Sequence, residues 1–247
     1  MRFPQSATVA PVHDFDSVGS TNDVLAAGVA PWTTAVTLDQ TSGRGRLGRV
    51  WTAPRGKTLA ASVSVPIPPH EVLGWLPLLV GLSVANAVEP FVARRPMVKW
   101  PNDVLIAEKK VSGILCELRA DAVVVGFGVN LSLAQHELPV ETATSIALEA
   151  SDAAVTNGQA AVEALADEIL HRVLVTLQRD VPNLADGAVH RAITERCGTL
   201  GKHVRLLRPD GQTSTGLATR IAENGELVVE TEQGPTRVAA GDVTHVR

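Results

Sequence analysis

Between Gly43 and Arg49 the chain sets three glycines among three arginines in seven residues, Gly43-Arg44-Gly45-Arg46-Leu47-Gly48-Arg49. Glycine lets the backbone turn sharply and approach a ligand closely. Arginine holds a permanent charge on a planar fork of donors that matches carboxylate and phosphate oxygens. The neighbourhood is of one sign. From Gln40 to His70 there is no Asp or Glu, while Arg44, Arg46, Arg49, Arg55 and Lys57 are cationic. A chain of formal net charge −4 has gathered five cations in one short region. That is the profile of a site for an anionic small molecule. A functionless basic loop is the weaker reading, because glycine and arginine at this density cost order and gain nothing without a ligand.

The glycines also spell a literal G-x-G-x-x-G, but its context is wrong for a dinucleotide fold. That fold needs a helix opening at the third glycine and an acid about 20 residues on. Here Val50–Gly56 reads as loop and Thr58–Val65 as strand, and the next acid, Glu71, follows Pro66, Pro68 and Pro69. Gly56-Lys57-Thr58 has the ending of a Walker A loop without its upstream glycine.

Three further segments carry chemistry. Lys99-Trp100-Pro101-Asn102-Asp103 holds two polar side chains on a rigid turn, since Pro101 restricts both itself and Trp100. An Asp so placed suits Mg²⁺ beside substrate phosphates, although the segment alone is more simply an Asn-Asp turn. Lys110 opens an apolar strand with Gly113 three residues on, an arrangement that sets an ammonium over a ligand packed on the glycine; alone it reads as a solvated lysine. Gly126-Phe127-Gly128-Val129-Asn130 ends an apolar strand with two close-approach positions and an amide able to donate and accept. An ordinary polar strand end reads equally well there.

These residues need elements to hold them. Val12–Phe15 reads as a strand, and Ser20-Thr21-Asn22-Asp23 as the capped start of a helix reaching about Ala30. Strands are expected at Thr34–Asp39 and Thr58–Val65, a long helix over His70–Val92, and short strands at Met97–Trp100 and Val104–Ala107. Val111–Leu118 and Ala122–Val129 form an antiparallel pair around Arg119–Asp121. The apolar stripe Val162, Leu165, Ala166, Ile169, Leu170, Val173, Leu177 predicts a helix over Gly158–Arg179, with one more within Pro182–Arg196. After Gly198 come short strands around Val204–Leu207, Thr215–Ala218, Leu227–Glu230, Thr236–Val238 and Val243–Val246. Turns at Pro209-Asp210-Gly211, Asn224-Gly225, Gln233-Gly234-Pro235 and Gly241-Asp242 separate them, as in a small barrel. The boundary falls near Gly198, giving domains 1–198 and 199–247.

Bulk composition narrows the class. At 247 residues and 45% apolar, the chain fits one large domain, or one domain plus a small one. Its charge argues against a nucleic-acid binder that works through a general basic surface. Cys116 and Cys197 make no disulfide framework and fit a reducing cytoplasm. No apolar h-region opens the chain, and Trp75–Val88, the longest apolar run, is too short to span a bilayer and reads as a buried helix.

Taken together, the segments resemble the biotin protein ligase family. The Gly-Arg loop, Lys99–Asp103, Lys110-Val111-Ser112-Gly113-Ile114-Leu115 with Glu117, and Gly126–Leu131 fall in the family's order, as do Ser20-Thr21-Asn22 and Gln40. The resemblance spans roughly residues 13–247. It implies an α/β (α+β) catalytic domain on a mixed, class II synthetase-like sheet, followed by an SH3-like β-barrel. It implies ATP-dependent joining of biotin to a lysine of a biotin carboxyl carrier domain of a biotin-dependent carboxylase, through biotinyl-5′-AMP. By resemblance, Ser20, Thr21 and Gln40 bind the ureido head of biotin, and Gly43 and Gly113 line its pocket. Arg44, Arg46 and Lys110 face carboxylate and phosphate, with Arg49 also on the adenylate. Trp51 packs near adenine and Asn130 bonds its edge, while Asn102 and Asp103 position phosphate and Mg²⁺, Asp103 as metal ligand. Roughly 12 residues precede the first expected strand, which leaves no room for the winged helix of family members that repress transcription, so no DNA binding is expected. No membrane association is expected either, and a homodimer is one assembly the family allows.

The sister family of lipoate or octanoate ligases and transferases is the nearest alternative. A transferase needs a cysteine nucleophile near a lysine, and Cys116 lies six positions beyond Lys110. In an apolar strand it reads instead as a small buried hydrophobe. A biotin-binding repressor or scaffold lacks its DNA-binding segment. The near-elbow Gly81-Leu82-Ser83-Val84-Ala85 lacks its final glycine and lies in a helical pattern.

Overall fold

The computed structural model describes residues 2–25, 28–51, 54–207, 213–239 and 242–246. In chain order its elements are β1 (Val12–Phe15), α1 (Thr21–Val24), β2 (Thr34–Thr37), β3 (Gly43–Arg44), β4 (Val50–Trp51), β5 (Thr58–Val65) and α2 (Leu76–Val88). There follow β6 (Met97–Lys99), β7 (Asp103–Ile106), β8 (Lys109–Leu118), β9 (Val123–Asn130), α3 (Ile146–Glu149), α4 (Gln159–Asp180) and α5 (Gly187–Arg196). The C-terminal part contributes β10 (His203–Leu207), β11 (Thr213–Ile221), β12 (Leu227–Thr231), β13 (Gly234–Val238) and β14 (Asp242–His245).

Seven strands form one mixed sheet in the order β1-β2-β5-β9-β8-β7-β6. The β1–β2 pair is parallel and the others are antiparallel. Strand side chains alternate between faces, and this sheet uses its faces differently. On one, Val123, Val125, Phe127 and Val129 of β9 join the main core. That face is covered by α2, which is buried nearly all round, and by the apolar stripe of α4. The most apolar stretch of the chain is thus a core helix. On the opposite face the central strands place Gly126 and Gly128, with Gly113 of β8 paired to Gly128 and Ser62 of β5 paired to Gly126. The middle of that face is nearly bare of side chains.

Five antiparallel strands, in the order β13-β12-β11-β10-β14, form the SH3-like C-terminal part. Its buried Val204, Leu206, Ala218, Leu227 and Val229 are continuous with the main core. The β11–β12 turn plugs into the larger sheet's domain. The indole N–H groups of Trp75 and Trp100 donate to the carbonyls of Glu223 and Gly225 at 2.9 and 3.1 Å. Gly225 (φ 87°) packs directly on the backbone of Gly74, so neither position has room for a Cβ.

Three expectations are corrected. The helix begun at Ser20 does not reach Ala30: α1 ends at Val24 and Leu25 leaves the helical region. Gly28 and Trp32 both take positive φ and Pro31 lies between them, so the chain turns back into β2; Ala26 and Ala27 lie outside the described residues. The single helix over His70–Val92 is α2 between two 3₁₀ segments, His70–Trp75 and Glu89–Phe91, with Pro77 in the first turn and Pro90 just after the end. Val50 and Trp51, read as loop, pair with Arg44 and Gly43. The expected turns at Pro209–Gly211 and Gly241 fall outside the described residues.

Candidate active site

A cleft of about 270 Å³ opens over the bare face of the large sheet. Its floor is built from missing side chains. A Cβ on Gly128 would lie 2.9 Å from the Trp51 ring, and one on Gly113 3.0 Å from Lys110 Nζ. At Gly126 it would collide with the amide oxygen of Asn22. Glycine is required here by close approach rather than by backbone angle.

One end of the cleft is polar and uncharged. The loop before α1 brings in Ser20 and Thr21, both buried. The Gln40 carbonyl oxygen accepts from the Thr21 backbone N–H at 2.9 Å and stands 3.2 Å from its hydroxyl. Ser20 sits at the helix N-cap without a capping hydrogen bond, and it lines the cleft instead. Gly43 lies beneath this end, packed against Gln40 Nε2 and the Trp51 carbonyl, where a Cβ would come within 2.6 and 2.5 Å.

The other end is cationic. Arg46 and Arg49 reach it from the β3–β4 hairpin, and Lys99 and Lys110 from the sheet, whereas Arg44 lines the cleft with its guanidinium turned to Asp23 and Glu117 beside Asn22. Arg46 donates to Asn102 Oδ1 at 3.1 Å, and Asn102 donates to the Ile114 carbonyl at 2.7 Å. Lys110 pairs with Asp103 at 2.6 Å, and its ammonium lies 5.6 Å from the Trp51 ring centroid, within cation–π range. The Trp51 ring covers the glycine floor, and among the described residues its buried Nε1–H has no partner. The remaining two cations of the basic stretch serve elsewhere: Arg55 pairs with Asp39 at 3.6 Å, and Lys57 pairs with Glu137.

Asn130 departs from the grouping read in the sequence. It is buried at the end of β9, does not line the cleft, and its amide donates to the Thr144 carbonyl at 2.9 Å. Cys116 lines a larger groove of about 1030 Å³ next to the cleft rather than the cleft itself. Burial among apolar groups pushes its thiol up to about 12, with the Glu117 carboxylate adding to the shift. A thiol in that state is a poor nucleophile at neutral pH.

Residue-by-residue reading missed several contributors. Asn22 and Ser62 lie under the head end, with Ser62 donating to Asn22 Oδ1 at 2.5 Å. Asn22 was visible as part of Ser20-Thr21-Asn22 but without a role. Val243 and Thr244 of β14 close the cationic end; no local signal could find them, because only domain docking brings them there.

Residues 15–131 match the biotin/lipoate A/B protein ligase family, and residues 199–246 match the biotin protein ligase C-terminal domain. A biotin–[acetyl-CoA-carboxylase] ligase of Mycobacterium tuberculosis is 37% identical over 84% of this chain and 77% of its own length. The chain belongs to the biotin protein ligase family. Solved family members superpose over nearly the whole chain. Biotin protein ligase from Aquifex aeolicus, in complex with biotin and ATP, has a TM-score of 0.75 at 31% identity, covering 96% of this chain and 99% of that one. The Leishmania major ligase in complex with biotinyl-5-AMP gives 0.60 at 25% identity, covering 93% and 99%. As a member of this family, the chain carries its cleft on the sheet face opposite the main helices, with a polar end, a glycine floor and a cationic end in a row.

Proposed function

We propose that this chain is a biotin–protein ligase that activates biotin with ATP to biotinyl-5′-AMP and transfers the biotinyl group to a lysine of a carrier protein. The observation that supports this most directly is the row of environments along one cleft. The uncharged head at Thr21 and Gln40 suits the ureido group of biotin. The glycine floor suits its flat ring system. The cations Arg44, Arg46 and Lys110 suit a carboxylate meeting a phosphate.

In the first half-reaction a biotin carboxylate oxygen attacks the α-phosphorus of ATP, a new C–O–P linkage forms, and the bond to the β-phosphate breaks to release pyrophosphate. Two anions must meet, so the barrier is largely electrostatic. Arg46, fixed by Asn102, and Lys110, over Trp51, lower that repulsion from fixed positions. No enzyme nucleophile is needed, because the mixed anhydride is already activated. In the second half-reaction the ε-amine of the acceptor lysine attacks the acyl carbon and AMP leaves. The acceptor we propose is a biotin carrier domain of a carboxylase.

The residues also fit Mg²⁺ of a particular kind. Among the described residues no group of three His, Cys, Asp or Glu side chains converges. Asp103 is a single carboxylate beside the cationic end, the donor set of an ion that arrives on nucleotide phosphates and keeps its waters. Bound there with Asp103 and Asn102, Mg²⁺ would supply charge neutralisation of the phosphates. We also place the protein in a reducing, cytoplasmic setting, which its two free cysteines support.

Exchange of labelled pyrophosphate into ATP tests the reading, with biotin, lipoate or octanoate as the acid. Biotin-dependent exchange supports it. Exchange with lipoate alone moves the chain to lipoate ligation. No exchange with any acid refutes adenylation.

A further inference from the structure

A chain of hydrogen bonds runs from the head of the cleft to Arg44, and the reaction does not explain it. From the head, Gln40 holds Thr21, whose Oγ1 stands 2.7 Å from Ser62 Oγ. Ser62 donates to Asn22 Oδ1 at 2.5 Å. Asn22, only 4% exposed, donates through Nδ2 to Glu117 Oε2 at 2.7 Å. The same Glu117 oxygen receives Arg44 Nη2 at 3.4 Å and Arg119 Nη2 at 3.2 Å. Glu117 is therefore a carboxylate just behind a site for anions, and its charge is taken up by Asn22, Arg44 and Arg119.

Arg44 is the group it holds. This guanidinium reaches the cleft from a two-residue strand, and its other partner is Asp23 at 2.5 Å, whose side chain is 52% exposed. An exposed pair of that kind is mobile and salt-screened. Glu117 is the better anchor. It is held by the Asn22 amide, and Asn22 cannot shift because Ser62 and the bare Gly126 enclose its oxygen.

We propose that Glu117 is a positioning residue for Arg44. Through the Asn22 relay it ties the guanidinium to the same buried framework that holds the biotin head, so Arg44 keeps a fixed position relative to that head. The inference rests on the assignment of Arg44 to the biotin site. Glu117 touches neither substrate nor reacting atoms. Its charge orients an arginine that would otherwise follow Asp23 into solvent.

Biotin binding without ATP tests this by calorimetry on the wild type, Glu117→Gln, Arg44→Met and the double variant, with ATP affinity and Tm measured on each. A charge-assisted hydrogen bond carries roughly a tenfold effect, so Glu117→Gln is expected to raise the Kd for biotin about tenfold, with ATP affinity and Tm nearly unchanged. In the Arg44→Met background the same change is expected to have no further effect. Glu117→Asp, which keeps the charge at shorter reach, is expected to give an intermediate loss that also disappears without Arg44; it carries the cycle if Glu117→Gln does not fold. Independent losses that multiply in the double variant would overturn the proposal. So would a joint fall in biotin affinity, ATP affinity and Tm, which marks a merely structural carboxylate. A wild type that binds no biotin sinks the functional reading and this inference together, whereas binding with a multiplicative cycle sinks the inference alone.

Discussion

Lys110 and Asp103 show how one pair can serve two stages. Without ligand each neutralises the other at 2.6 Å, with both side chains partly exposed. On the function proposed above, arriving phosphates would give the ammonium a stronger anion to face and would free the carboxylate for a cation. Removing the lysine therefore does double harm, because the positive charge is lost and Asp103 is left as a naked repulsive neighbour. Charged hydrogen bonds of this sort contribute about 1.5–3 kcal/mol. Lys110→Met is expected to lower kcat/KM for biotin-dependent pyrophosphate exchange by about 10- to 100-fold, with Tm nearly unchanged because the pair is partly exposed. Retention of full exchange would remove Lys110 from the site. Cys116 gives the contrasting expectation. Its thiol is raised to about 12 by burial and faces the neighbouring groove, so Cys116→Ser should keep ligation within about twofold, the usual range of a tolerated surface or near-isosteric change. Loss of ligation with exchange intact would point instead to a cysteine acyl transferase.

At the scale of the element, the β3–β4 hairpin is the part of the site with least support. Its strands are two residues each, Leu47 takes φ 57°, and Leu47 and Val50 are 70% and 77% exposed. Its arginines are held from outside the hairpin, Arg44 by Asp23 and Glu117 and Arg46 by Asn102, rather than by the hairpin's own strands. Trypsin, which cuts after arginine, is expected to nick it at Arg44, Arg46 or Arg49 in the free protein, and several-fold more slowly with biotin and ATP present. Equal cutting with and without ligands would mean that the hairpin is already fixed. The hairpin also shows what a sequence can and cannot disclose. Its composition announced an anion site, because glycine and arginine speak through local chemistry. Its strand pairing was silent, since two residues carry no periodicity. Likewise α4 was legible from a long apolar stripe, whereas α1 was overestimated, because its capping signal said where a helix begins and only the turn through Gly28 and Pro31 says where it stops. Ser20, Thr21, Gln40 and Lys110, singled out by motif, all line the cleft. Asn130 does not line it, and its amide is taken by Thr144, a partner 14 residues away that no strand-end pattern announces.

The whole molecule adds a dependence that neither part holds alone. Val243 and Thr244 line the cleft only while the C-terminal barrel stays docked, and docking rests on groups that titrate. Besides the Trp75 and Trp100 contacts, Glu108 on the β7–β8 turn receives Lys202 at 2.6 Å and His245 at 3.0 Å, with Lys99 also acting on His245. Burial holds the His245 imidazole below its ordinary value, which the Glu108 carboxylate only partly offsets. The Lys202 ammonium, with His245, holds the Glu108 carboxyl below its own. For both groups the folded state binds the proton less readily than the unfolded chain, so both contribute stability that is present at neutral pH and lost with acid. The histidine contribution begins to fade as pH falls below about 6.5 and is gone once the pH passes its folded value. The Glu108 contribution fades from about 4.5 downward. Thermal unfolding between pH 8 and 5 is therefore expected to show a falling Tm, and His245→Gln, which cannot charge, is expected to flatten that part of the curve while leaving the drop below pH 4.5 in place. ATP affinity should follow the same acid limb in the wild type and lose it in His245→Gln, because the residues that close the cationic end travel with the barrel. A His245→Gln protein with an unchanged pH slope in both measurements would show that docking does not depend on this histidine and rests on the remaining contacts, the apolar core, the tryptophan bonds and Lys202 with Glu108.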